Sequence, residues 1–100
     1  MNELEMKFHQ KMMDTYLAAK KLKYNASYFY RMLTEMGGYE AAKQLIHAES
    51  TSDGFARLWE LKRLDLSVEY IVLKPEYRSL FSDEERAKCA ERLKQNGFRF

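Results

Sequence analysis

One hundred residues permit one domain with a single modest core. Apolar residues make up 46% and charged residues 32%, the balance of a folded chain rather than a disordered one. The net charge of +2 is the small excess of 17 basic over 15 acidic groups, which gives no strong electrostatic case for nucleic acid and none against a protein partner. Cys89 is the single cysteine, so no intrachain disulfide is possible and a reducing, cytoplasmic compartment is the natural reading. No apolar run approaches the roughly 20 residues that span a bilayer. The opening MNELEMKFHQKM has mixed charge and no hydrophobic signal region, so neither export nor membrane insertion has support.

From Asn2 to Lys23 there is no Gly or Pro, and Leu4, Phe8, Met12, Tyr16 (or Thr15), Ala19 and Leu22 recur at steps of three and four. That spacing predicts one long amphipathic helix, with Glu3 and Glu5 early and Lys20, Lys21 and Lys23 late, as the helix dipole favours. Asn25 is the expected N-cap of a second helix carrying Phe29, Met32, Leu33 and Met36 on one face. Gly37 ends it and Gly38 opens a third, from about Tyr39 to Ala48, with Ala41, Ala42, Leu45 and Ile46 as its stripe.

Ser50, Thr51 and Ser52 compete to cap a fourth helix, whose buried face reads as Phe55, Leu58 and Trp59. Asp65 is expected to cap a short fifth segment, Leu66 to Leu73. There the alternation of Leu66, Val68, Tyr70 and Val72 also suits a strand, but a lone strand has no partner in a helical chain, which favours helix. Lys74-Pro75 stops that element, and Tyr77, Leu80 and Phe81 fold back as a turn of helix. Ser82 and Glu85 form a capping box for the last helix, which ends at Asn96-Gly97. Phe98 and Phe100 follow, either packed back or sticky enough to make homo-oligomers.

Chemistry is scarce. His9, His47 and Cys89 have none of the spacings that zinc sites use, and no loop cradles a phosphate, so neither a metal nor a cofactor is expected. Cys89 stands near Arg86, Lys88 and Arg92, which could lower its pKa, but a small core residue is the commoner case. Helix capping accounts for Glu84 and Glu85, and a cap plus an exposed face accounts for Asp65 and Glu69, leaving no acid–base role for either pair. Gly37 and Gly38 could offer amides to a phosphate, with Lys43 one turn along and Lys20, Lys21 and Lys23 adding charge. A tight helix corner beside a solvated lysine-rich end explains the same residues without a ligand. Tyr28 and Tyr30 flank the stripe of the second helix rather than lying on it. With Tyr24 and Arg31 they compose a patch rich in the residue types that interfaces enrich.

Two motifs carry a resemblance. Gly37, Gly38, Ala41, Ala42, Leu45 and Ile46 form a GG-x-x-AA-x-x-LI corner. Leu58-Trp59-Glu60, Arg63 to Glu69, Val72-Leu73, Pro75-Glu76 and Leu80-Phe81 form an LWE…RLDLSVE…VLxPE…LF core. From about Tyr24 to Gly97 the chain is similar to a widespread family of small bacterial and phage proteins and domains, mostly uncharacterised and in some cases appended to restriction-type nucleases. Relatives often carry Gly at the position of Lys62, which implies a less sharp break between the fourth and fifth helices here. The resemblance brings no catalytic residue; it implies a setting near mobile elements or defence.

Residues 1–100 are therefore read as one all-α domain, a bundle of five or six short helices with a long first one. The expected function is non-enzymatic binding to a protein partner, such as a nuclease or defence complex, through Tyr24, Tyr28, Tyr30 and Arg31. The rival is nucleic-acid binding through Lys20, Lys21, Lys23, Gly37, Gly38 and Lys43.

Overall fold

In a computed structural model, residues 2–99 are described. They are all-helical: α1 (Glu3–Lys21), α2 (Ser27–Met36), α3 (Gly38–His47), α4 (Asp53–Glu60), α5 (Val68–Val72) and α6 (Asp83–Gln95), with 3-10 segments at Leu64–Leu66 and Pro75–Leu80. The 19 residues of α1 rise about 28 Å, most of the molecule's 34 Å long axis. α1 is the spine. Its buried stripe of Phe8, Met12, Thr15, Tyr16 and Ala19 follows the three-and-four spacing expected of an amphipathic helix.

The main core gathers Phe8 and Met12 of α1, Met32 and Leu33 of α2, Ala41, Ala42 and Ile46 of α3, Ile71 and Val72 of α5, and Tyr77, Phe81 and Cys89. Phe8 is fully buried, with the rings of Tyr77 and Phe81 edge-on at centroid distances of 5.2 Å each, a favoured aromatic geometry. Ala19, Phe55, Leu58, Leu64 and Leu93 form a second, smaller cluster. The fold is a bundle with two cores, not one.

Glycine makes the closest helix approach possible. A side chain at Gly38 would put its Cβ 2.8 Å from the Cα of His9, so only a residue without one lets α3 start against α1. The Gly38 amide donates to Nδ1 of His9 at 2.8 Å, and the Gly37 amide donates to the Leu33 carbonyl at 3.1 Å. Gly37, at φ 84 and ψ 158, occupies backbone that a side chain strains.

Three helices end alike. After α1, the amide of Lys23 donates to the Lys20 carbonyl and that of Tyr24 to the Ala19 carbonyl. Lys62 and Arg63 close α4, and Gly97 and Phe98 close α6, with the same pair of bonds. This is the Schellman arrangement, which needs a left-handed residue. Lys23 (φ 65), Lys62 (φ 59) and Gly97 (φ 81) supply it. The break after α4 is thus as sharp with Lys62 as a glycine would make it.

Other local expectations are corrected. α2 starts at Ser27 after Ala26, with no side-chain cap from Asn25. Ser67 caps α5, accepting from the Tyr70 amide at 3.2 Å. Asp65 instead binds Arg63 through two hydrogen bonds of 2.9 and 3.1 Å. The segment after it is helix rather than strand, though shorter than Leu66 to Leu73. Trp59 does not join the core: it is 52% exposed, its indole N–H donating to the Asn96 carbonyl at 3.1 Å. The Ser52 cap and the Ser82–Glu85 box form as the sequence suggests. Phe98 packs edge-on against Tyr70 at 5.3 Å; Phe100 lies outside the described residues.

Candidate functional site

Where the two cores fail to merge, the surface opens into a cleft of about 480 Å³, within the range of pockets that hold small ligands. Tyr16 and Ala19 of α1, Phe29 and Met32 of α2, and Phe55 and Leu58 of α4 supply apolar walls. Segments 24–27 and 50–53 form its lips, and Leu66 to Glu69 adds to the lining.

Tyr24 reaches the lip because the Schellman turn after α1 fixes its amide on Ala19. It is half-buried, and a Cβ at Gly54 would stand 3.1 Å from its hydroxyl oxygen. The phenol therefore lies against the first turn of α4, where glycine leaves it room. Burial and then the charge of Asp53 push the Tyr24 pKa up, with Arg57 opposing, so the hydroxyl keeps its proton. Tyr28 stands at the mouth, 67% exposed.

Glu69, only 4% exposed, forms part of the wall. Its carboxylate accepts from Arg92 Nη1 at 3.2 Å. Burial pushes its pKa up, while its own backbone amide and Arg92 pull the other way. Arg92 comes from α6 and also donates to the carbonyls of Leu45, Ile46 and Ala48 at 3.1, 3.3 and 2.7 Å. It thereby closes the C-terminal end of α3, whose last carbonyls have no helical partner. Glu69 is thus buried and paired, not on the exposed face read from sequence.

The proposed protein-binding residues divide. Tyr24 and Tyr28 line the cleft. Arg31 lies three residues beyond Tyr28 on the same face of α2, its side chain 72% exposed and 3.8 Å from Glu35. Tyr30 points elsewhere: its ring packs on Tyr16 at 5.0 Å, leaving it 41% exposed.

The nucleic-acid candidates do not converge. Gly38 is buried with its amide on His9, and Lys43 holds both carboxylate oxygens of Glu85 at 2.9 Å. Lys20, Lys21 and Lys23 are exposed at the far end of α1, about 18 Å along the axis from His9 at 1.5 Å per residue. Neither glycine amide is left to meet a phosphate.

Cys89 is fully buried. Burial, reinforced by the Glu69 carboxylate, pushes its thiol up to about 12 despite Arg92 and Lys88. The basic neighbours do not make it a nucleophile. Glu85 is buried too, and its capping role in the sequence was only part of its work. Burial would raise its pKa, but Lys43, the Ser82 amide and His47 outweigh that and hold it at about 2. Comparison of the chain with protein-family models, characterised proteins and solved structures finds no match in any of the three.

Proposed function

We propose that this chain is a non-enzymatic binding protein that docks on a protein partner at the mouth of the cleft. The observation that carries the reading is Tyr28, a large aromatic left 67% exposed beside Arg31 and above an apolar cleft. Aromatic and arginine anchors at a pocket are what interface hot spots use. Tyr24 and Tyr28 form the contact, Arg31 contributes charge, and Tyr30 extends the aromatic surface towards α1.

The setting we propose is bacterial or phage defence or counter-defence, with a nuclease or defence complex as partner. It rests on the two motifs at Gly37–Ile46 and Leu58–Phe81 and the resemblance they carry. Affinity capture from the native host, comparing the wild type with Tyr28→Ala/Arg31→Ala, tests the contact. The double variant should lose the co-purifying protein while its thermal midpoint stays within a few degrees, because both side chains are exposed. A partner that still co-purifies would place the contact elsewhere. Binding to DNA or RNA with a steep salt dependence would favour the rival reading.

A further inference from the structure

We propose that the outer side of α1 is a second interaction surface, which binds the same surface of a second copy of this chain with the two helices antiparallel. The proposal goes beyond docking at the cleft and does not depend on it.

α1 carries apolar residues on two sides. At 3.6 residues per turn, Met6, Met13 and Leu17 lie on average roughly 135° around the axis from the centre of the buried stripe. Met6 is 58% and Leu17 50% exposed, and Met13 between them is partly buried. Single exposed apolar side chains need no explanation, but these share one face with Glu3, Gln10 and Lys20, all exposed. Positions 3, 6, 10, 13, 17 and 20 follow alternating steps of three and four, the seam of a two-helix coiled coil. One flank of the seam is occupied: His9 takes the Gly38 amide of α3 and Tyr16 stacks on Tyr30 of α2. The other flank, at Lys7 and Asp14, is exposed. Within the chain, Glu3 lies 3.7 Å from Lys7 and Gln10 donates to Asp14 at 3.1 Å. Such exposed contacts hold their side chains only weakly.

The order of residues along the seam selects the occupant. In an antiparallel pair centred between Lys11 and Met12, position 3 faces 20, 6 faces 17 and 10 faces 13. Glu3 then meets Lys20 of the second copy, Met6 meets Leu17 and Gln10 meets Met13, each twice by the two-fold axis. On the open flank, Lys7 comes beside Asp14 of the second copy, again opposite in charge. A parallel pair would instead set Glu3 on Glu3 and Lys20 on Lys20. Opposite charges at facing positions fix the orientation and exclude the wrong one. Met6, Met13 and Leu17 make a small contact and Gln10 interrupts it, so the dissociation constant should be about 100 μM.

The test is sedimentation equilibrium of the full chain over a concentration series. The wild type should pass from the 11.9 kDa monomer towards twice that mass, with half-association near about 100 μM. Leu17→Glu should weaken association at least about tenfold and leave the thermal midpoint of the dilute monomer within a few degrees, because the side chain is exposed. Glu3→Lys and Lys20→Glu should each weaken association severalfold, and the two combined in one chain should restore it. No parallel pairing gives that rescue, and it keeps the test decisive should Leu17→Glu unfold. A chain still monomeric at about 1 mM overturns the proposal and leaves the seam to a helix of another protein or to solvent. Assembly that neither Leu17→Glu nor the charge swaps disturb lies at another surface, such as Phe98 or the cleft mouth, and overturns it as well.

Discussion

Glu85 shows how a residue can be legible in one role and hidden in another. The spacing from Ser82 announces the capping box, and both of its bonds form, at 2.9 and 3.0 Å. Nothing local announces Lys43 and His47, which reach it from α3 at 2.9 and 2.7 Å. The cluster holds the folded pKa at about 2, against an ordinary value of 4.5. Because the folded value is depressed, the stabilisation is present above about pH 4.5 and is lost as pH falls through about 2. Lys43 and His47 are about one-third and two-thirds exposed, so screening trims it to about 2 kcal/mol. Urea unfolding of the wild type and Glu85→Gln should differ by that amount at neutral pH and converge towards pH 2. A difference constant across that window would contradict the assignment. Glu69 and Arg92 were hidden for the same reason. Their partners lie 23 to 47 residues away in the chain, beyond the reach of any helical pattern.

Helix identity was legible because apolar periodicity is a local property, and α1, α2, α3, α4 and α6 all follow it. Helix ends were harder. Ser52 and Ser82 cap as their positions suggest, but Asp65 is taken by Arg63, two residues away. The stops after α1 and α4 escaped because lysines, not glycines, adopt the left-handed turn. Gly38 has the opposite lesson: it is needed for helix contact rather than for backbone conformation. Gly38→Ala should cost about 1–3 kcal/mol in a denaturant titration, since the new methyl meets the backbone of His9. Gly97→Ala has empty space around the added Cβ but a φ of +81, and should cost only about 1 kcal/mol. If Gly38→Ala proved neutral, α1 and α3 would not be in the contact described.

At the scale of the molecule, the core divides into two clusters with a cleft lined from both. α1 feeds both, through Phe8 and Met12 at one end and Ala19 at the other, and the cleft opens between them. The aromatic mouth was legible in sequence because Tyr28 lies off the buried stripe of α2. The cleft was not, since it depends on how α4 and the Leu66–Glu69 segment stand against α1 and α2. Tyr30 and Tyr24 could not be told apart either: one stacks on Tyr16 and the other turns into the lip.

If a partner docks on this mouth as proposed, hydrogen exchange on the captured complex will register it there. Amide exchange should slow in segments 24–31 and 50–55 on complex formation, with segment 37–43 unchanged. Protection confined to 37–43, with both lips of the cleft exchanging as in the free protein, would contradict it.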